Sequence, residues 1–483
     1  MTNASFPPVS PARSRASRPL ALMHTVFTMF LAGVLVFLLF NRLAHGFKPS
    51  IVFCALFGTV LTLTVWAWQW TPKARANYLL TMVSVGLFLI LADIVIFFFK
   101  GDEIYLDLAS AAKKCGQAFD RRPKLDVVLD LRKKCIDAYP EFSSILNWEK
   151  LNAGHAEKIY PIGLIANKLT VLCNESGRYI SYISDEHGFN NPPKVWDKSP
   201  VDLVLIGDSY VQGVCVEREE NFAGRLTAQG LRVANLGISG FGPLSELAAL
   251  KEYCPALMPS TVIWLWTEEN DLMNLANERK IPQLMAYLQD SSHQNLISRQ
   301  SQIDYVWSEY INANLPTQPS GYKLGHKWPW LNILKIAHLR FMAGLGSDTK
   351  TKRQAALYAG RNPECFQEQA SLLIDILSEA KRVVASLGGR LIFMYLPCWG
   401  RYKGCDALPP GRYNHRDDVL GLVRSLGLPI IDGDPVLSSR PDPLEYFHFR
   451  IQSHYTSAGY GLLAKAIVPT LIKLPACEIQ STP

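Results

Sequence analysis

The sequence predicts an α/β domain built on a parallel sheet, carried behind three transmembrane helices, and three features of the text predict it. From about residue 200 onward, short apolar runs that stop abruptly at small or acidic residues alternate with amphipathic stretches. That alternation is the pattern of a parallel sheet covered by helices on both faces. Three long apolar stretches crowd the first hundred residues. The residues with chemistry to offer stand just after the apolar runs, where open α/β sheets bind their ligands.

Length and composition set the outer limits. At 483 residues the chain has room for two or three structural units, and 48% of it is hydrophobic, with a slightly positive mean hydropathy. The net charge of +7 is not gathered into a basic block, so no nucleic-acid partner is expected. Ten cysteines lack the tight paired spacing of a zinc site, and no metal or cofactor is expected. Cys398 and Cys405 are the only close pair in the soluble part. A disulfide across that loop would suit an oxidising compartment, and most of the other cysteines read as buried thiols.

In chain order, a cytoplasmic tail (1–19) comes first, then an anchor (20–99) made of Leu20 to Phe40, Ile51 to Trp70 and Tyr78 to Phe99. Each stretch has about 20 residues, what a hydrocarbon core of about 30 Å asks of a helix. A cleaved signal peptide would give one shorter stretch. Trp66, Trp68 and Trp70 resemble an interfacial belt. Arg13, Arg15 and Arg18, with Lys73 and Arg75, outweigh Arg42 and Lys48 in the opposite loop. Positive-inside counting then puts the N-terminus in the cytoplasm and everything beyond Lys100 outside. The expected location is therefore a bacterial inner membrane, multi-pass, with a periplasmic or extracytoplasmic soluble domain. Asp93 lies inside the third span, either against another membrane protein or near enough to the outer end to reach water.

Residues 100–160 are charged with a helical period through Leu125, Val128, Leu129 and Leu131, and read as a stalk or packing segment. Leu169 to Ile183 alternates around a turn at Glu175-Ser-Gly177, a hairpin signal, and a polar loop from Ser184 to Pro193 follows. Strands are expected at Leu203 to Ile206, Leu231 to Leu236, Thr261 to Trp266, Arg390 to Leu396 and Pro429 to Ile431. Helices are expected at Pro243 to Tyr253, with proline in the first turn, and at Phe366 to Ala385, Asp417 to Leu426 and Ser457 to Ile472. This domain spans 161–474, before a short tail (475–483). An insertion at about 275–360, rich in Trp, Tyr, Pro and Gly, is expected to form a lid or ligand-facing wall beside the sheet's carboxyl edge.

The first of these strands stops at Gly207-Asp208-Ser209, which places a serine at a strand's carboxyl end and a helix N-terminus. Taken as a nucleophile, Ser209 needs a base and its tetrahedral intermediate needs donors. Donor candidates are the Ser209 N–H, the glycine-rich turn Gly237 to Gly242, and the Asn270 side chain after the next strand. His454, just before the closing helix, stands on the same side of the sheet and is the candidate base. By themselves, Gly-Asp-Ser is a turn, Asn270-Asp271 a helix cap and His454 a surface group; their order along successive strand ends is what joins them.

Gly207-Asp-Ser209, Gly240, Asn270 and His454, in that order, resemble the four blocks of the SGNH/GDSL hydrolase family. The Asn-Glu-Ser-Gly and Ser-Asp-Glu-x-Gly-Phe text before the nucleophile is similar to that of bacterial membrane-anchored members. The resemblance runs from about Pro161 to Ile472. It implies a flavodoxin-like three-layer fold and ester hydrolysis or acyl transfer. Ser209 would be the nucleophile, His454 the base, and the Ser209 N–H, Gly240 N–H and Asn270 the oxyanion hole, with Asp208 ordering the nucleophile turn. Two positions depart from the pattern. Glu268 stands where the third block begins with glycine, and Ile451 and Gln452 stand where the family's aspartate precedes the histidine. That acid holds the imidazole's tautomer and stabilises the imidazolium; Asp432, Asp434 or Glu445 could replace it.

The expected function is a membrane-anchored serine esterase or O-acyltransferase acting through an acyl-enzyme on acyl groups, acetyl foremost, of a cell-surface glycan or polysaccharide. The alternative is a catalytically impaired pseudoenzyme that binds glycan or docks an integral-membrane acyltransferase, which Asp93 and Gln452 motivate.

Overall fold

The computed structural model describes residues 51–104, 108–143, 151, 158–197, 200–289, 292–315, 363–402, 415–451 and 453–473, with Leu22, His24, Thr25 and Thr28 near the start. The chain divides into two compact units, the first running from Met1 to Ile104 and the second resuming at Tyr105.

In the first unit, helix α1 (Ile51–Trp66) passes through a short 3-10 turn into the 33-residue helix α2 (Pro72–Ile104). Pro72 opens α2, where a missing N–H costs nothing, and Thr71 Oγ1 accepts from Ala74 N. The stretch Pro72–Ala92 is the one helical stretch among the described residues that is long and apolar enough to cross a membrane. Leu80, Leu87, Phe88 and Leu91 along it are exposed. Of the three expected spans, this supports one. α1 has 16 residues, about 24 Å of helix at 1.5 Å per residue, short of a hydrocarbon core. Most of the Leu20 to Phe40 stretch lies outside the described residues, although Leu22, His24, Thr25 and Thr28 are helical. His24 Nε2 lies 2.8 Å from Thr64 O, and its ring stacks on Trp68. Asp93 falls within α2.

In the second unit, the region read as a stalk holds two short helices, Leu108–Lys114 and Lys124–Lys133. It also supplies a strand that its helical period had hidden, β1 (Ala138–Pro140). β1 pairs in parallel with β2 (Leu169–Val171), which pairs antiparallel with β3 (Ser181–Ile183), closing the expected hairpin.

The main sheet is wholly parallel. Its strands are β4 (Leu203–Ile206), β5 (Val233–Asn235), β6 (Thr261–Thr267), β7 (Arg390–Leu396) and β8 (Ile430–Asp432), in the order β5-β4-β6-β7-β8. That is the doubly wound arrangement, with its reversal of strand order between β4 and β6. The two-residue period of a strand builds the layers. Val204, Ile206, Val262, Trp264 and Phe393 face one core, packed under α4 (Pro243–Leu257), α7 (Pro363–Ser386) and α8 (Arg416–Ser425). Leu203, Leu205, Ile263, Leu265, Ile392 and Met394 face the other, packed under Phe222, Leu226 and α9 (Ser457–Lys473). Every residue of β4 and β6 is buried, so a one-residue slip would carry each side chain into the wrong layer.

The described part of the insertion departs from expectation. This part, through α5 (Asp271–Glu278) and α6 (Gln300–Asn314), is core rather than lid. Ile303, Val306, Trp307 and Ile311 are buried in the larger core, and Trp307 Nε1 donates to Gly163 O at 3.1 Å. Tyr287, Gln294 and Leu296 pack on Glu252, nine residues beyond the start of α4 and so well away from the sheet's carboxyl rim. Residues 316–362 lie outside the described residues.

Candidate active site

Three turns at the carboxyl rim are shaped by close packing. Gly207 ends β4 under such crowding that a Cβ would meet Val211 Cγ2 at 2.4 Å and Leu265 O at 2.9 Å. The chain turns there into the four-residue helix α3 (Ser209–Gln212), with Asp208 as N-cap. The Asp208 carboxylate, fully buried, accepts from Tyr210 N (2.9 Å), Thr267 Oγ1 (2.9 Å) and Asn270 Nδ2 (2.8 Å). One carboxylate thus fixes both the nucleophile turn and the Asn270 side chain, the ends of β4 and β6 being drawn together at the point where strand order reverses.

Gly240 lies in the turn after β5 with φ +81°, a left-handed conformation that glycine adopts without strain. Its neighbour Ser239 donates through both N (2.9 Å) and Oγ (2.7 Å) to Gln212 Oε1 on α3. At the far end of this turn, Glu278 of α5 accepts from Gly242 N, Leu244 N and Ser245 N at 2.8 to 3.2 Å. A carboxylate at the N-terminus of α4 is where the helix dipole favours it. Glu278, whose role the sequence reading did not anticipate, therefore couples the segment that begins at Asn270 to the Gly240 turn.

His454 meets Ser209. Its Nε2 lies 2.8 Å from Ser209 Oγ, and the serine is 8% exposed. The Tyr210 ring packs against the imidazole with centroids 4.6 Å apart. Behind the ring stands Glu175, whose Oε2 lies 2.9 Å from Nδ1 and also accepts from the His454 backbone N at 2.7 Å. A carboxylate cannot donate, so Nδ1 carries a proton in either charge state, and in the neutral ring Nε2 is left to accept from the hydroxyl.

This corrects the expected source of the acid. Asp432 pairs with Arg416, and Asp434 with Arg401 and Arg416. The acid comes instead from the tip of the β2–β3 hairpin, 279 residues before the histidine. Gln452 lies outside the described residues. Glu175-Ser-Gly177 had carried only a turn signal, and that signal was sound: Gly177 has φ +98°, and Asp120 N donates to its carbonyl at 2.8 Å.

Electrostatics follow from this pairing. Burial disfavours the charged imidazole, but the Glu175 carboxylate more than offsets that and pushes its pKa up to about 9. Burial likewise works against the Glu175 charge, and the facing His454 reverses it, leaving the carboxyl below its ordinary value. Deeper in, burial and then the Asp208 charge push the Asp271 carboxyl well up.

The hairpin is joined covalently to the nucleophile turn by a disulfide between Cys173 and Cys215, Cα atoms 5.7 Å apart. The expected Cys398–Cys405 bridge involves a residue, Cys405, outside the described residues. Cys398 is buried with Sγ 3.6 Å from Glu268 Oε2. Glu268, the residue in place of the third block's glycine, also receives Arg401 and Tyr395 Oη, and so fastens the loop after β7 to the rim. The Ser184 to Pro193 loop braces the site from below. Asp185 collects Phe189 N, Asn191 Nδ2 and Trp196 Nε1, and Asn190 Nδ2 donates to Gln212 O at 2.8 Å.

No family model matches the chain, and no curated protein does. Among solved structures, one titled a "putative lipolytic protein of G-D-S-L family" from Desulfitobacterium hafniense DCB-2 shares 11% identity. The match covers 56% of this chain and 98% of that one, with a TM-score of 0.26. A "putative acylhydrolase" from Bacteroides fragilis NCTC 9343 shares 12% identity over 57% of this chain and 89% of that one, with a TM-score of 0.29. Over a little more than half its length, the chain is thus similar to solved proteins bearing lipolytic and acylhydrolase names, at low identity.

Proposed function

We propose that the chain is an SGNH-type serine esterase or O-acyltransferase, anchored in a membrane, that acts on ester-linked acyl groups of a cell-surface glycan through an acyl-enzyme on Ser209. The line Ser209 Oγ, His454, Glu175, with contacts of 2.8 and 2.9 Å, carries this reading. It has the nucleophile, base and orienting acid that acyl transfer requires. His454 Nε2 takes the hydroxyl proton as Oγ attacks the ester carbonyl. The resulting oxyanion is met by the N–H groups of Ser209 and Gly240 and by Asn270. One N–H of that side-chain amide goes to Asp208, and an amide has two. The imidazolium, stabilised by Glu175, then protonates the departing alcohol. Water or a sugar hydroxyl, deprotonated by the same nitrogen, releases the acyl group.

The anchor and outward orientation rest on α2 and on the charge asymmetry of the loops. The Cys173–Cys215 disulfide supports an oxidising compartment. Acetyl is the favoured acyl group, and the aromatic text from Gly321 to Trp330 favours sugar rings as acceptor. The inactive reading was motivated by Asp93 and Gln452, and Glu175 supplies the negative charge that Gln452 lacks. The experiment compares purified full-length protein with Ser209→Ala on an aryl acetate, with and without an oligosaccharide acceptor. Serine-dependent release of the aryl alcohol is expected, with acetylated sugar appearing if transfer is favoured. Equal rates for the two proteins would remove the enzymatic reading.

A further inference from the structure

Glu175 belongs to neither the sheet nor the helices that hold the rest of the site. It sits at the tip of a hairpin whose paired strands are three residues each, and it must keep a partly buried carboxylate against an imidazole from a distant part of the chain. Something has to fix the tip to the nucleophile turn.

On the side of the tip away from that turn, the bracing is ordinary. Asp120 exchanges bonds with Gly177 O and Asn174 Nδ2, and Tyr179 Oη donates to Arg122 O. Facing the nucleophile turn and the segment that follows it, several links cross among the described residues. Arg178 and Glu217 form an ion pair whose side chains are 64% and 40% exposed, and such pairs contribute little. Gln212 Nε2 donates to Tyr182 Oη at 3.0 Å, and Arg218 donates to Ile183 O and lies over the Tyr182 ring, all nearer the base of the hairpin than its tip. The link nearest Glu175 is the disulfide. Cys173 stands two residues before Glu175, and Cys215 six after Ser209. Two residues of chain span at most about 7 Å, so the cross-link leaves the carboxylate a very short leash. Both sulfurs and a Glu175 carboxylate oxygen lie within 4.8 Å of one another. The disulfide is packed among Leu172, Ile180, Tyr182 and Val214. Cys215 also takes φ +71°, a backbone conformation that its side chain disfavours and that costs free energy to hold.

We infer that Cys173 and Cys215 are positioning residues for the reaction: their disulfide holds the Glu175 carboxylate behind His454, so the site is fully assembled only while that bond is intact. The inference rests on the serine-hydrolase reading above. A dithiol reductant would break the S–S bond by delivering two electrons and two protons, leaving two cysteine thiols and the reductant as its own disulfide. The hairpin tip is then free to part from the nucleophile turn, and Glu175 with it. The other groups facing His454 are Asp208 on the nucleophile turn, Glu269 after β6 and His448 before it. None of them replaces a carboxylate on Nδ1, which Glu175 alone contacts among the described residues.

The experiment follows ester hydrolysis by full-length protein from pH 5 to 10 before and after treatment with a dithiol, with Ser209→Ala as the blank. On reduction the plateau rate above pH 9 should fall at least about tenfold, less than the roughly 10⁴-fold of losing an orienting carboxylate outright. The acid limb should move from about 9 toward 6.5, the imidazole's ordinary value, and reoxidation should restore both. In Glu175→Gln, reduction should change nothing further, a result that loss of overall stability would not give. The Cys173→Ser/Cys215→Ser protein, if it folds, should behave as reduced wild type; if it does not, the reversible reduction of wild type decides. A serine-dependent rate with the same plateau and limb before and after reduction overturns the inference and leaves the esterase reading standing. Equal rates for wild type and Ser209→Ala overturn the esterase reading itself.

Discussion

At the scale of the residue, the site turns on one carboxylate and the charge it places on one ring. With the imidazole's pKa held at about 9, Nε2 is protonated in most molecules at neutral pH. The rate kcat/KM should then climb about tenfold per pH unit below 9 and level off above it, because only the neutral ring accepts the serine proton. Glu175→Gln removes the cause, so the limb should move down toward 6.5 while the plateau drops by roughly 10²- to 10⁴-fold. A pH–rate profile of the two proteins checks both shifts. A variant that lost activity with an unmoved limb would separate Glu175 from the base.

The same pair sets a pH window for stability. The Glu175 pKa is depressed, so its contribution is present above its ordinary 4.5 and is lost as pH falls below that. The His454 pKa is raised, so its contribution is fully present below 6.5 and is lost as pH rises through about 9. The melting-temperature gap between wild type and Glu175→Gln should therefore be widest between about 4.5 and 6.5 and close above about 9.

At the scale of the element, the described part of the insertion behaves as scaffold. Trp307 is 1% exposed on α6 and hydrogen-bonded to Gly163 O, so Trp307→Ala should lose about 3–5 kcal/mol, the cost of emptying a buried aromatic site. Denaturant unfolding measures this, and the kcat of the molecules that remain folded should hold, since α6 packs away from the rim. A selective loss of kcat at unchanged stability would restore α6 to a lid. In the first unit, α2 leaves Leu87 and Phe88 exposed along its length, a face that water disfavours and lipid accepts. Full-length protein should stay in the membrane pellet through an alkaline carbonate wash. With the proposed orientation, protease added outside sealed spheroplasts should digest the region beyond residue 105.

At the scale of the molecule, what the text revealed and what it hid divide along a physical line. Buried parallel strands announce themselves because every residue of Leu203–Ile206 and Thr261–Thr267 must be apolar or internally paired, and helix α4 because Pro243 suits a first turn. Ser209, Gly240, Asn270 and His454 were readable because strand ends of a parallel sheet share one edge, so topology alone brings them near one another. Glu175 was not. It lies on a hairpin outside that sheet, and a turn signal says how a chain reverses, not which surface its tip will touch. The disulfide was hidden for the same reason: Cys173 and Cys215 are 42 residues apart, whereas the eye is drawn to close pairs such as Cys398 and Cys405. Aromatic composition suggested a lid at 275–360, yet Trp and Tyr fill cores as readily as they line walls, and only packing assigned Trp307 to the core. The sequence by itself determined the layers, the strand ends and the placing of Ser209 and His454 on one rim, because these follow from local periodicity and one topological rule. Tertiary structure alone decided which carboxylate completes the line and what tethers it, because contacts between segments 279 residues apart leave no local trace.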